Sequence, residues 1–261
     1  MRRGTLSRFH WLNALTFVLC VAALVLLPRP AAWCVAGTVL CVHLAVVALG
    51  VTFPQWQMFG PILCRVRTER NAVALTFDDG PDPAVTPALL DLLKQRGVSA
   101  TFFCTGQRVD EHPALVRRIV NEGHLLGNHS FAHSHWTNFF TVRRLREDVG
   151  RAQEAIARVA GCRPTLFRPP VGLTNPRVFR VVKELRLQVV GWTVRGLDTR
   201  HGKPEAIVER IVRRLRPGAI LVLHDGGMPC SIVLPTVDLL LAELQRRGYR
   251  AERLDRLMET T

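Results

Sequence analysis

Two acids stand side by side, Asp78 and Asp79, at the end of the apolar run Ala72–Val73–Ala74–Leu75–Thr76–Phe77 and just before Gly80–Pro81. The run reads as a buried strand that the Gly–Pro pair ends. Two carboxylates at one strand end repel each other unless a cation lies beside them, and a metal ion is the usual remedy. Downstream, His129–Ser130–Phe131–Ala132–His133 spaces two imidazoles four residues apart. On a helical turn they would share one face and bind a single ion. Alone, such a pair is more often a surface feature; Asp79 as a third ligand makes the metal the better reading. Two imidazoles and one carboxylate leave coordination positions open, the pattern of a catalytic site rather than a closed structural one. His135 is a further candidate, for which a solvent-facing or supporting role is favoured. Arg168, Asp198, His224 and Asp225 are the remaining charged side chains at chain positions of interest.

These side chains need elements to hold them. From Ala72 onward, strand patterns (Ala72–Thr76, Ala100–Cys104, Leu125–Asn128, Thr165–Arg168, Gln188–Trp192, Ala219–Leu223, Tyr249–Arg253) alternate with amphipathic helical ones (Thr86–Arg96, Pro113–Glu122, Val142–Val159, Pro176–Leu185, Pro204–Leu215, Ile232–Arg247). In the third helix Val142, Leu145, Val149, Ala152, Ile156 and Val159 recur at three- and four-residue steps, one apolar stripe. Alternating strands and helices imply an α/β fold with a parallel sheet. Seven apolar strands would close into a distorted (β/α) barrel, with an open doubly wound sheet as the alternative. Asp78 and Asp79, the two histidines, Arg168, Asp198, and His224 with Asp225 fall at or beyond the C-terminal ends of five different strands. In a barrel those ends share the face on which active sites form. Trp136, Phe139 and Phe140 would add apolar contact near the site or simply pack their loop.

The set Thr76–Phe77–Asp78–Asp79–Gly80, His129–Ser130–x–x–His133, Arg168–Pro169–Pro170–Val171–Gly172 and Leu221–Val222–Leu223–His224 resembles the polysaccharide deacetylase, or NodB-homology, family (carbohydrate esterase family 4). The resemblance spans about residues 72–254 and implies a NodB-like distorted barrel and hydrolysis of an N-acyl group on an amino sugar. It implies that Asp79, His129 and His133 hold a divalent metal, typically zinc, with cobalt, nickel or manganese accepted by the same donors. Asp78 would be the general base, oriented by Arg168, and His224 the general acid, tuned by Asp198. Pro170, Val171, Gly172 and Trp192 would contact substrate, and a backbone N–H near Val171 would face the oxyanion. Two departures are visible. Val171 stands where the family usually has an aromatic residue, and Thr199 follows Asp198 where many members have Trp.

The N-terminus adds a second theme. Trp11 to Leu27 is almost wholly apolar, and Ala31 to Phe53 is apolar except for His43, with Pro28–Arg29–Pro30 between them. The second run extends about 34 Å at 1.5 Å per residue, enough for a hydrocarbon core. Residues 1–53 therefore read as a two-helix transmembrane hairpin (spans 11–27 and 31–53), residues 54–71 as a juxtamembrane linker and residues 72–261 as the catalytic domain. A cleaved signal peptide is the competing reading for the first run. Arg2, Arg3 and Arg8 precede the hairpin, Arg65, Arg67 and Arg70 follow it, and Arg29 alone marks its tip. That asymmetry puts both ends in the cytoplasm, in a bacterial inner membrane. A domain on that side reaches a polyprenyl-phosphate-linked amino sugar, as in lipid A or envelope-glycan modification, rather than finished cell wall; membrane lipids are then partners. A periplasmic deacetylase of peptidoglycan or exopolysaccharide is the alternative, and a catalytically inactive membrane-bound glycan binder the third. The net charge is +14, with 35 Lys and Arg against 21 Asp and Glu. No zinc-finger spacing, recognition helix or RNP motif accompanies it, so nucleic acid is not an expected partner. Seven cysteines without a C-x-x-C argue against a disulfide framework or zinc ribbon and mildly for a reducing compartment.

Overall fold

The computed structural model describes residues 7–200 and 202–259; Arg2 and Arg3, counted above as flanking charges, lie outside them. Two helices lead the chain, α1 (Arg8–Leu26) and α2 (Arg29–Thr52). Pro28 sits between them in extended backbone, and Pro30 lies in the first turn of α2, where its missing N–H leaves no helical bond unmade. Both helices are long and apolar enough to cross a membrane, with mean hydropathy 2.0 and 2.3. Trp11, Phe17, Val25, Leu26 and Trp33 face outward. The helices pack on each other, and Thr16 Oγ1 meets His43 Nδ1 at 2.9 Å, a polar link between them. The Phe9 N–H donates to the Met58 carbonyl (3.0 Å) and Arg8 Nη1 to the Trp56 carbonyl (2.8 Å). Both ends of the hairpin are thus fastened at one side, next to the catalytic domain.

That domain alternates strands and helices: β1 (Ala72–Asp78), α3 (Thr86–Gln95), β2 (Thr101–Cys104), α4 (Gly106–Glu111), α5 (Pro113–Asn121), β3 (Leu125–Asn128), α6 (Val142–Ala160), β4 (Leu166–Phe167), α7 (Pro176–Glu184), β5 (Gln188–Val189), β6 (Val194–Arg195), α8 (Pro204–Val212), β7 (Ile220–His224), α9 (Cys230–Arg246), β8 (Arg250–Glu252) and α10 (Leu254–Glu259). The strands form one parallel sheet in the order β5-β4-β3-β2-β1-β7-β6, with β8 pairing the first half of β1. Every residue of β1 is buried, as expected of a central parallel strand covered on both faces. Phe77 stacks on Phe102 at 5.2 Å, and Leu89, Leu90 and Leu93 of α3 and Val237, Leu240 and Leu244 of α9 close over them. Each such side chain stabilises the fold by about 1.5–3 kcal/mol relative to exposure. The predicted stripe of α6 is buried at Leu145, Val149, Ala152 and Ile156. Thr141 caps its start and Gly161, at φ 72°, ends it.

Three expectations change. The strand read as Gln188–Trp192 ends at Val189; the chain bends through Trp192, and the separate β6 follows. The sheet does not close strand to strand. Residues 63–65 run along its open side: Leu63 pairs parallel with Val190, just past β5, and Arg65 antiparallel with Ala219, just before β7. The architecture is a distorted half-barrel. Residues 62–66, read as part of a linker, consequently belong to the domain, with Ile62 and Val66 buried in its cores. Phe59, also in the stretch read as a linker, is buried against Phe9 at 5.3 Å.

Candidate active site

β1 delivers Asp78 in regular strand geometry. Asp79 then adopts φ 72°, a left-handed conformation that turns the chain. Simple alternation along a strand would send these side chains to opposite faces; the turn brings both to one site. Arg168, wholly buried just beyond β4, donates from Nη1 to Asp78 Oδ1 (2.6 Å) and Thr76 Oγ1 (2.8 Å) and from Nη2 to the Gly191 carbonyl (2.9 Å). The guanidinium lies 4.1 Å from the Phe103 ring centroid, so Asp78 faces a cation fixed on several sides.

His129 and His133 do meet, but not on a helical turn. They sit in the loop after β3, where Ser130 (φ 66°) and His133 (φ 46°) are left-handed. Asn128 holds the loop: its Oδ1 accepts from the Ser130 N–H (2.8 Å), and its Nδ2 donates to the Val149 carbonyl and Gln153 of α6. Asp148 of α6 accepts from the N–H groups of Phe131 and Ala132, at 3.3 and 3.2 Å. Asp79 Oδ1 lies 3.2 Å from His129 Nε2 and 3.1 Å from His133 Nε2. The three ligand atoms fall within 4.8 Å of one another.

This arrangement suits a divalent metal. Asp79 Oδ1 is buried with no donor in hydrogen-bonding geometry among the described residues. His129 Nδ1 lies 2.7 Å from the Arg168 carbonyl, which places a proton on Nδ1 and turns Nε2 toward Asp79. Burial pushes the His133 imidazole below its ordinary pKa, toward the neutral form a ligand needs. For Asp79, burial alone would raise the pKa, but contact with His129 and the charges of the neighbouring imidazoles outweigh it and hold the carboxyl well below the usual range.

On β7, whose His224 is the register partner of Asp78, the imidazole Nδ1 lies 3.0 Å from Asp198 Oδ1, and the His224 N–H donates to Asp198 Oδ2 at 2.8 Å. Burial disfavours the imidazolium, but the hydrogen bond and charge of Asp198 outweigh burial and raise the pKa to about 9. The next residue, Asp225, is buried and pushed up to about 7 by that burial. It accepts from Thr86 Oγ1 at 2.6 Å.

Asp78, Asp79, His129, His133 and His224 line one cleft with His135, Pro169, Val171, Gly172, Trp192, Arg195, Thr199 and Val222. Pro170, expected against substrate, is buried under its turn instead, and Pro169 takes the wall. Val171 is exposed at φ 59°, a conformation strongly disfavoured for a β-branched residue and typical of strain held at functional sites. Leu197, beside Asp198, is also left-handed (φ 58°). Trp136 and Phe139 pack on each other at the surface, outside the cleft, and Phe140 is buried beneath Arg144. Sequence reading missed Arg195 and the supports Asn128, Asp148 and Thr86, and named Pro169 and Thr199 only as parts of motifs, not as cleft walls.

The half-barrel and its Asp–His–His cluster define a metal-dependent hydrolase. Residues 65–190 match the family described as polysaccharide deacetylase. A peptidoglycan-N-acetylglucosamine deacetylase of Bacillus cereus is 37% identical over 193 residues, covering 73% of this chain and 90% of the relative. The Bacillus subtilis peptidoglycan-N-acetylmuramic acid deacetylase PdaA is 33% identical, covering 73% of each. The crystal structure of the Bc1960 peptidoglycan N-acetylglucosamine deacetylase superposes with TM-score 0.71 at 30% identity, over 77% of this chain and 94% of that one. A mutated family 4 pseudoenzyme with restored activity, BA3943, gives 0.71 at 25% identity, over 77% and 72%. The chain belongs to the polysaccharide deacetylase family, carbohydrate esterase family 4, and is a carbohydrate N-deacetylase.

Proposed function

We propose that the protein removes the acetyl group from N-acetylated amino sugars of an envelope glycan, peptidoglycan first. The observation that carries the mechanism is the presence, around one Asp–His–His cluster, of two proton-transfer groups with separate partners: Asp78 on Arg168, His224 on Asp198. Asp79, His129 and His133 would hold the divalent metal, zinc by their donor set. When bound, the metal polarises the acyl carbonyl and brings a water pKa toward about 7. Asp78, held in place by Arg168, takes the proton of the attacking water. His224 begins as imidazolium and gives its proton to the departing amine. The Val171 N–H donates to the developing oxyanion, while Gly172 and Trp192 form the sugar-facing wall. The names of the relatives above, which act on N-acetylglucosamine and N-acetylmuramic acid units, support peptidoglycan as substrate. The experiment is acetate release by the full-length protein from peptidoglycan and from a chitooligosaccharide. Loss on chelation, recovery with zinc and loss in Asp78→Asn are expected; undiminished activity in that variant refutes the base.

One observation favours a second substrate. Gln55, just past α2, donates from Nε2 to the Trp192 carbonyl at 3.5 Å, so the cleft wall adjoins the hairpin. With the arginine asymmetry, this supports a lipid-linked amino sugar processed on the cytoplasmic side. A C-terminal reporter fusion decides: a periplasmic reading removes the lipid-linked proposal, a cytoplasmic one removes mature peptidoglycan.

A further inference from the structure

Arg195 lies in the wall of the cleft and has no part in the chemistry above. β6 puts it there. Its Cα pairs with Val222 of β7, two residues before His224, and Val222 lines the same cleft. The guanidinium carbon sits 5.0 Å from the centroid of the Trp192 ring, a stacking contact that holds the side chain half-buried rather than loose in solvent. The other arginines near the site are paired with acids, Arg168 with Asp78 and Arg108 with Asp82. Arg195 has no hydrogen-bond or ion-pair partner for its side chain among the described residues.

An arginine stays charged and presents a planar fork of donors suited to carboxylate or phosphate. A neutral sugar needs no such group. An uncompensated cation beside residues that hold a divalent metal also disfavours that metal electrostatically, unless the substrate brings negative charge. We infer that Arg195 is a specificity-determining residue that receives an anionic substituent, a carboxylate or phosphate, on the amino sugar or the unit next to it. The inference rests on the deacetylase reading. It deepens that reading, because N-acetylmuramic acid offers a carboxylate and a polyprenyl-phosphate-linked sugar offers a phosphate, whereas a plain N-acetylglucosamine chain offers neither.

The test compares kcat/KM of the full-length, zinc-loaded protein on three substrates: a neutral N-acetylglucosamine oligosaccharide, an oligosaccharide containing N-acetylmuramic acid, and N-acetylglucosamine carried on polyprenyl phosphate. Wild type should prefer one anionic substrate over the neutral one by about tenfold or more, and the preferred one identifies the source of charge. Arg195→Gln should bring that ratio near one, chiefly through KM; Arg195→Lys should keep part of it, and Arg195→Glu should reverse it. Without turnover, N-acetylmuramic acid should bind the metal-free protein more tightly than N-acetylglucosamine, with the difference lost in Arg195→Gln. An unchanged ratio in Arg195→Gln, or equal losses on neutral and anionic substrates, overturns the inference and leaves the deacetylase reading intact. No acetate from any of the three overturns both.

Discussion

His224 and Asp198 show how one carboxylate sets the working state of an imidazole. The folded pKa of His224 is raised to about 9, so the ring carries its proton at neutral pH and loses it as pH rises through that value. In the role proposed for it, such an acid gives a rate that falls on the alkaline side. Replacing Asp198 by Ala removes a hydrogen bond to a charged group, worth about 1.5–3 kcal/mol, and leaves burial to work against the imidazolium. At about 1.4 kcal/mol per pKa unit, the alkaline limb of the kcat/KM profile should move down by roughly one to two pH units. The profile of acetate release against pH measures it; an unmoved limb would remove His224 as the titrating acid. Types and order made Asp79, His129, His133 and His224 legible in the sequence, because few other tasks need those donors after successive strands. Arg195 was not legible, since its pairing state and its stacking on Trp192 exist only once β6 has formed.

Among the elements, the connections matter more than the strands. β1, β2, β3 and β7 were readable as apolar runs, and β4 and β5 were read with longer bounds than their two residues, whereas β6 is too short to show a period and was not read as a separate strand. The histidine loop was misread as helical because four-residue spacing suits a helix; its real geometry comes from left-handed backbone and from bonds to α6. Asp148→Ala frees the Phe131 and Ala132 N–H groups and should loosen His133, lowering zinc affinity by about 10–100-fold. Competition with a chromophoric chelator reads this. Asp225 works on the opposite side of the site, bonding Thr86 at the start of α3 and filling the space beside Gly80, where a Cβ would come within 2.2 Å of Asp225 Oδ2. Its folded pKa, about 7, lies well above the ordinary value of a free carboxylate, about 4. The folded protein therefore binds more protons between those values, and stability from this group falls as pH rises from about 4 to 7. Asp225→Asn cannot ionise, so its Tm measured on metal-free protein should fall less across that window than wild type; parallel curves would place the charge elsewhere.

For the whole molecule, the question is where the domain begins. Composition places the boundary at Ala72, after the arginine-rich stretch, because residues 54–71 carry no strand or helix pattern. The fold places it earlier. Leu63 and Arg65 run along the open side of the sheet, the Thr193 hydroxyl donates to the Cys64 carbonyl at 2.5 Å, and Arg65 donates to the Pro217 carbonyl at 2.9 Å. Ile62 and Val66 are buried. Removing these residues loses the burial of two apolar side chains, at about 1.5–3 kcal/mol each, and breaks the links from residues 63–65 to Val190, Thr193 and Ala219. A chain starting at Phe59 keeps every one of these contacts and loses the hairpin. It should fold, stay soluble without detergent and hydrolyse a soluble chitooligosaccharide at a rate close to that of the full-length protein. A chain starting at Asn71 should be less stable by several kcal/mol, with a lowered Tm and weakened turnover. Equal Tm values for the two chains would return the boundary to Ala72. A Phe59 chain that works on soluble sugar but loses a lipid-presented one would assign the hairpin to bringing substrate to the cleft.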